Sequence, residues 1–305
     1  MSLTKKSVSM PEELMTVFRK EKEMRRERFK RAWYRFARSK LAVAGLTILL
    51  ILVIAAAFAE YVAPYPQHAE LYINYKERLL PPSSRHLLGT DHVGRDVLSR
   101  IIFGYRLAFL MIGIVLSIVG PAGTVLGLLA GYYKGRWIEH VIMRLADMFV
   151  SIPPLILALS ICAILEPNIV NAMLAVTLMW WPWYTRMVYS MTAALRDEPY
   201  VWAARALGMS DLHIMFREIL PNILGPILTK ATLDAAWVLL IGAAISFLGL
   251  GAQPPTPDLG TMISEYLMYF PTYWWLPMGP ILGIAILIMA LNLLGDGLRE
   301  VFAGE

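Results

Sequence analysis

Two oppositely charged residues inside an apolar stretch are the strongest candidates for chemistry in this sequence. Lys230 and Asp234 lie four residues apart within the apolar run 223–250, so a helix would place both side chains on one face. Ionisable groups at such a depth are costly, and they face each other or a cavity. Two interpretations stay open: a structural ion pair, or the lining of a pathway that meets a charged substrate. The tryptophans within 180–183 are a weaker candidate, because large aromatic side chains are more typical of packing than of a substrate platform.

Motifs for catalysis or nucleotide binding are absent from the sequence. The chain contains no GxxxxGK[ST] loop, no HExxH or CxxC motif and no recognisable Ser-His-Asp arrangement. His86, Asp91, His92 and Asp96 are suitable metal ligands, but their spacing fits no standard site and favours a structural loop. The single cysteine, Cys162, has no partner for an internal disulfide. We therefore predict a chain that has no catalytic residues, binds no metal and does not hydrolyse ATP itself.

Long apolar stretches are the elements that position Lys230 and Asp234. Hydrophobic residues make up 57% of the 305 residues and charged residues only 17%, which is far from the composition of a soluble domain. A helix of roughly 20 apolar residues crosses the hydrocarbon core of a bilayer. We therefore predict an all-α polytopic membrane protein with six transmembrane helices, at 41–63, 107–130, 137–165, 169–191, 223–250 and 276–294.

Glycines and prolines within these spans indicate how the helices pack and bend. Gly113, Gly120 and Gly123 lie in the second predicted span and allow a neighbouring helix to approach closely. Pro153 and Pro154 lie within the third predicted span and are expected to bend it.

Basic residues indicate the orientation of the chain. Residues 1–40 hold 13 of the 28 lysines and arginines, whereas the loops after the third and fifth predicted spans hold none. Because cytoplasmic segments carry an excess of basic residues, we predict a cytoplasmic segment at 1–40 that contacts anionic membrane lipid, and we expect no nucleic-acid binding. The run 41–63 is too long for a cleavable signal peptide and is predicted to be the first span. Six spans then place both termini in the cytoplasm, with an extracytoplasmic segment at 64–104 and a five-helix core at 105–305.

The stretch 200–222, between the fourth and fifth predicted spans, has the pattern of two helices. Ala204 and its neighbours favour helix, Gly208 can end that helix with a left-handed backbone angle, and Ser210 can cap the next one. Pro221 marks the predicted start of the fifth span, because the residue before a proline avoids helical angles. An ordinary connector is the alternative, but connectors are usually only ~2–8 residues long. We therefore predict a short helix, outside the membrane, that docks against another protein.

This stretch resembles the EAA loop of ABC-importer permeases, in which a run of small residues, a glycine and a later Leu-Pro recur at fixed spacing. Trp202 stands where the family motif has a glutamate. The segments GTDHVGRD, SFLGLGAQPPTPDLGTMISE and NLLGDGLRE extend the resemblance to the dipeptide/oligopeptide permease group, over about residues 32–302. The resemblance implies a coupling loop at 195–221, in which the ATPase-coupling residues are Trp202, Ala203, Ala204, Leu207, Gly208, Leu220 and Pro221.

The resemblance also implies a function. Such a chain is a multi-pass permease subunit of the inner (cytoplasmic) membrane of a prokaryote, and it forms half of a translocation pathway for peptides or similar small solutes. Its implied partners are a second, homologous permease subunit, two ATP-binding subunits and an extracytoplasmic substrate-binding protein. No cofactor is expected on this chain, because ATP and Mg bind to the partner ATPases. A secondary, ion-coupled transporter is the alternative, although such proteins show internal repeats and acidic groups at mid-membrane, of which Asp234 is a single instance.

Overall fold

The computed structural model describes residues 34–302, so most of the basic segment predicted at 1–40 lies outside the described residues. Within this range no strand forms, and the extended backbone contributes only an isolated bridge between Thr90 and Asp96. The predicted all-helical class is therefore confirmed for the described chain. Its main helices are α1 Lys40–Ala57, α2 Ala59–Val62, α3 Val97–Tyr132, α4 Trp137–Val150, α5 Pro154–Ile164, α6 Ile169–Leu195, α7 Pro199–Ala206, α8 Asp211–Phe247, α9 Leu259–Leu267 and α10 Trp275–Phe302.

Four of the described helices, α1, α3, α8 and α10, are long and apolar enough to cross a membrane. The pair α4 and α5 makes a fifth if it is counted as one span, and its two helices meet at 88°. Pro153 and Pro154 stand at this bend, where the sequence predicts one. Helix α6 has 27 residues but is not among the apolar spans, because its tryptophans, Pro182 and Arg186 lower its hydropathy. The predicted number of six is therefore not reached on length and hydropathy alone.

The most extensive helix contact among the described residues joins α3 to α6. Glycines at four-residue intervals on α3 face α6 so closely that an added β-carbon would lie only 2.4 to 2.6 Å from a β-carbon of α6. Of the three glycines predicted to allow close packing, Gly123 lies in this contact and Gly113 faces open space. Gly120 lies at its edge, where an added β-carbon would be 4.0 Å from the ring of Tyr184. The facing pairs are Gly123 with Tyr184, Gly127 with Val188 and Gly131 with Thr192.

Helices α3 and α8 are the central elements of the fold, because each belongs to two buried apolar clusters. One cluster joins α8 to α3, α6 and α7 and includes Val115 and Val188. The other joins α8 to α1, α3, α9 and α10 and includes Leu239, Met262 and Leu287. A displacement of α8 therefore disturbs the packing of both halves of the molecule.

Buried charges hold the segment before α3 against the loop that follows α8. Asp91 is fully buried and accepts a hydrogen bond from Nε of Arg95 at 2.6 Å. Arg100 is 1% exposed, and its Nη1 donates to the carbonyl oxygens of Ala69 and Pro255, each at 3.3 Å. Polar contacts thus fix the position of a segment that has little regular secondary structure. Its high proline content is consistent with that lack of helix and strand.

The histidines of this segment have separate partners. Nδ1 of His86 lies 2.9 Å from the carboxylate of Asp96, which also caps the start of α3, whereas His92 stacks on Tyr269. His68 is 3% exposed and accepts a hydrogen bond from the backbone N–H of Asp96; burial lowers the pKa of its ring below the usual 6.5. Among the described residues no group of three or more ligand side chains is arranged to hold a metal ion. Helix α3 begins at Val97, so its first turns lie within the extracytoplasmic segment that the sequence predicts at 64–104.

Candidate functional site

The sequence of α7 fixes both of its ends. Pro199 occupies the first turn, where its missing N–H costs nothing. At the other end, Met209 N–H donates to the carbonyl of Ala204 at 3.1 Å and Gly208 N–H donates to the carbonyl of Arg205 at 2.9 Å. Gly208 has a φ of +76°, so the two bonds form a Schellman motif around a left-handed glycine. The predicted turn at Gly208 is confirmed.

The next helix begins as predicted but does not break at Pro221. The Ser210 hydroxyl accepts a backbone hydrogen bond and caps α8. Leu220, which is partly buried, keeps helical angles, and α8 runs through Pro221 without interruption. The prediction that the span starts at Pro221 is therefore wrong. The reason is a π-helical turn at Ile214–Ile219, closed by a bond from Leu220 N–H to the carbonyl of Met215, which widens the helix just before the proline ring.

Helix α7 buries one face and exposes the other. Val201 and Ala204 are buried in the core cluster, whereas Ala203 is exposed. Ala204 therefore does not lie on the outer face, and a larger side chain there would enter the core of this chain. We define the coupling surface as the exposed apolar side chains of this region, Trp202, Leu207, Met209, Leu212 and Phe216.

A cluster of hydrogen bonds attaches the start of α8 to the end of α3. The carboxylate of Asp211 accepts bonds from the hydroxyls of Tyr132 at 2.7 Å and Tyr133 at 2.8 Å. The bond to Asp211 raises the pKa of Tyr133, so its hydroxyl stays protonated and donates. Nε of Arg205, on α7, donates to the hydroxyl of Tyr132 at 3.3 Å. We call these four residues the tyrosine clamp.

Arg205 and Arg196 make two further contacts in this region, of which only the second adds to the attachment of α7. The guanidinium of Arg205 also lies 5.6 Å from the ring centre of Trp202, the residue that replaces the motif glutamate. Arg196, between α6 and α7, donates to the carbonyl oxygens of Tyr132 and Lys134 at 3.3 and 3.0 Å. Residues on both sides of α7 are thus bonded to the end of α3, so a force applied to α7 reaches α3 and α8 together.

Lys230 and Asp234 form the ion pair that their spacing favours. Nζ of Lys230 lies 3.2 Å from Oδ1 and 3.0 Å from Oδ2 of Asp234. The same ammonium group lies 5.1 Å from the ring centre of Tyr184 on α6. Asp234 is only 5% exposed, so a charge of each sign is held in the interior of the helix bundle.

Two cavities meet at this ion pair. The tryptophan cavity, of about 480 Å³, is lined by the pair together with Trp180, Trp183 and Trp237. The arginine cavity, of about 530 Å³, is lined by the pair together with Trp237 and Arg299. The pair is therefore both a structural contact and part of a cavity wall, and the two interpretations of the sequence are compatible.

Two family models match the chain. The model described as binding-protein-dependent transport system inner membrane component matches residues 123–304. The model described as N-terminal TM domain of oligopeptide transport permease C matches residues 27–82. The two matches together include α1, α7, α8 and α10.

Curated relatives match most of the chain. The di/tripeptide transport system permease protein DppC of Pseudomonas aeruginosa is 40% identical over 280 residues, covering 89% of this chain and 90% of that protein. The dipeptide transport system permease protein DppC of Escherichia coli K12 is 41% identical, with 88% and 90% covered. The glutathione transport system permease protein GsiD of Pectobacterium atrosepticum is 39% identical, with 88% of each chain covered.

A solved structure shares the fold. A chain of the MetNI methionine ABC transporter, in an inward-facing conformation, superposes with a TM-score of 0.50. It is 20% identical in sequence, and the match covers 67% of this chain and 94% of that one. At this identity the likeness concerns the helical architecture.

Proposed function

Since this chain belongs to the family of binding-protein-dependent transport system inner membrane components, we propose that it forms half of a pathway for short peptides. The chain is a permease subunit of an ATP-driven ABC importer and lies in the bacterial inner membrane. It is not an enzyme, because ATP is hydrolysed by a separate subunit. The family favours this function over the ion-coupled alternative.

The proposed substrates follow from the relatives, which are named for di- and tripeptides, dipeptides and glutathione. These compounds share a small size, at least one amide bond and charged ends. We infer that an extracytoplasmic binding protein delivers short peptides of this kind to the chain.

The proposed topology has six spans, with the bent pair α4 and α5 as the third and α6 as the fourth. Both termini and α7 then lie in the cytoplasm, which the basic residues at 1–40 support. Membership of the family implies ATPase and binding-protein partners. We propose two ATP-binding subunits, which carry the ATP and Mg, and a second homologous permease beside this chain, with lipid around both. This chain itself needs no bound cofactor.

The observation that carries the proposal is the tyrosine clamp beneath the coupling surface. The coupling surface leaves Trp202 and Leu207 exposed by 57% and 76%, which suits a partner protein. The clamp bonds α7 to α3, and α8 continues from it to Lys230 and Asp234. ATPases that close on ATP would move α7, and the helices attached to it would change between inward-open and outward-open states.

The test is reconstitution of this chain in proteoliposomes with and without its partners. The complete importer should accumulate peptide only with ATP and binding protein, whereas this chain alone should show neither uptake nor ATP hydrolysis. Uptake by this chain alone, driven by a proton or sodium gradient, would overturn the proposal.

A variant tests the coupling surface directly. Leu207→Asp puts a charge on this surface and should reduce co-purification of the ATPases at least tenfold. The matched control is Leu71→Asp in the segment before α3, where the side chain is 83% exposed and lies outside both the spans and the coupling surface. Equal retention of the ATPases by both variants would show that α7 is an ordinary connector.

A further inference from the structure

The Lys230–Asp234 pair leaves hydrogen-bonding capacity that it does not use itself. Oδ1 of Asp234 accepts a hydrogen bond from Lys230. Oδ2 is close to the ammonium group but accepts no well-oriented hydrogen bond from any described residue. Because a buried carboxylate oxygen without a donor is costly, the pair is suited to accept a further donor from a molecule in the adjoining cavities.

The two cavities beside the pair differ in the charge that they favour. The tryptophan cavity presents three indole rings near Asp234, and aromatic faces together with a carboxylate attract an ammonium group. The arginine cavity presents Lys230 and Arg299, and two cations attract a carboxylate. Asp234 and Lys230 line both cavities, so a single molecule that extends past the pair would contact both environments.

The net charge of the pair restricts the ligand. Lys230 and Asp234 together are neutral, and Arg299 is exposed, so its charge is hydrated. A ligand with a net charge would therefore leave an unbalanced charge at the pair itself, which is poorly hydrated. A molecule that carries one positive and one negative group leaves the total at zero. The cavities, of about 480 and 530 Å³, are also within the range of about 300–1,000 Å³ that holds small organic ligands.

We propose that the Lys230–Asp234 pair is a binding site for the two charged termini of a short zwitterionic peptide. Asp234 accepts hydrogen bonds from the peptide ammonium group in the tryptophan cavity. Lys230 leaves Asp234 and donates to the peptide carboxylate in the arginine cavity. The pair closes on itself when the pathway is empty and opens when a peptide supplies both charges. This inference rests on the proposed function and specifies the substrate class.

The test uses the complete reconstituted importer with radiolabelled alanyl-alanine as the probe. The double variant Lys230→Gln/Asp234→Asn removes both charges and leaves no unpaired ion. It should assemble, melt close to the wild-type temperature and take up alanyl-alanine at least tenfold more slowly. The matched control, Arg186→Gln/Asp147→Asn, removes a half-exposed ion pair that lines neither cavity, and it should transport at the wild-type rate.

A binding measurement without the binding protein isolates the contribution of the membrane site. Equilibrium dialysis of the detergent-solubilised importer should show that wild type binds alanyl-alanine at least tenfold more tightly than N-acetyl-alanyl-alanine or alanyl-alanine amide. The double variant should lose this preference for the zwitterion. A double variant with wild-type uptake and wild-type preference would mean that the pair is only structural, and the inference would be overturned.

Trp237→Ala covers the case in which the double variant does not assemble. Trp237 lines both cavities and is 55% exposed, so its removal leaves the pair and the core intact. Uptake should fall at least threefold at an unchanged melting temperature, and an unchanged uptake rate would contradict the site. If the wild-type importer itself takes up no peptide, the proposed function fails, whereas wild-type uptake that every variant retains contradicts this inference alone.

Discussion

Substitution of one glycine in α3 tests the contact on which the helix bundle depends. In Gly127→Ala the new β-carbon would lie 2.6 Å from the β-carbon of Val188 and 2.7 Å from the carbonyl oxygen of Thr185. Carbon atoms in favourable contact are about 3.5–4.0 Å apart, and neither neighbouring atom can rotate away. Helices α3 and α6 must therefore separate by about 1 Å, the difference between these distances.

The expected cost follows from a comparison within the same helix. Overpacking of this kind destabilises a protein by about 1–3 kcal/mol. Alanine also favours helix over glycine by up to about 1 kcal/mol, which opposes that cost. Gly113→Ala is the matched control, because its β-carbon meets nothing within 4 Å while the helix-propensity gain is the same. The free energy of unfolding of the two variants should therefore differ by about 1–3 kcal/mol, with Gly127→Ala the less stable.

The measurement is reversible unfolding of the purified chain in mixed micelles, followed by circular dichroism for wild type and both variants. Gly113→Ala should be as stable as wild type or more stable. If the two variants agree within about 0.5 kcal/mol, the spread expected of surface substitutions, the close approach of α3 to α6 is refuted.

Three further predictions concern the tyrosine clamp, the turn after α7 and the segment before α3. Asp211→Ala removes both tyrosine hydrogen bonds and should lower stability by about 1–2 kcal/mol; ATP hydrolysis should continue with less peptide moved per ATP, and Tyr133→Phe should have a smaller effect. Gly208→Val forces a β-branched residue to a φ of +76° and should cost roughly 1–2 kcal/mol, whereas Gly208→Asn should cost less, as thermal melting would show. The lowered pKa of His68 means that its contribution to stability is fully present above pH 6.5 and is lost as the pH falls through the folded-state pKa. The melting temperature should therefore fall between pH 7.5 and 5.5, and less so in His68→Gln.

Features that depend on neighbouring residues were predictable from the sequence. The glycine that ends α7, the serine that caps α8 and the i, i+4 ion pair each involve residues within five positions of one another. Local backbone geometry decides such contacts, so residue types at short spacing are sufficient to predict them.

Features that depend on distant partners were not predictable in the same way. Ala204 is helical as expected, but only the packing of α7 on the core decides that its side chain points inward. The clamp joins Asp211 to tyrosines nearly eighty residues away, and an aspartate at a helix start already has a local explanation. The helix continues through Pro221 because a π-helical turn precedes the proline, and no residue type signals that turn reliably.

Because α8 is continuous, a small tilt at one end produces a large displacement at the other. Its 37 residues, at about 1.5 Å each, form a rod about 55 Å long. A tilt of about 10° about the Asp211 end would carry the Phe247 end through roughly 10 Å and the region of Lys230 through roughly 5 Å, given that rise per residue. Lys230 and Asp234 both lie on α8 and move with it, whereas Tyr184 belongs to α6, where its ring centre lies 5.1 Å from Nζ of Lys230. If α6 does not follow, the same tilt moves Lys230 away from Tyr184. A small rotation of α8 at the clamp therefore produces a large change in the walls of both cavities.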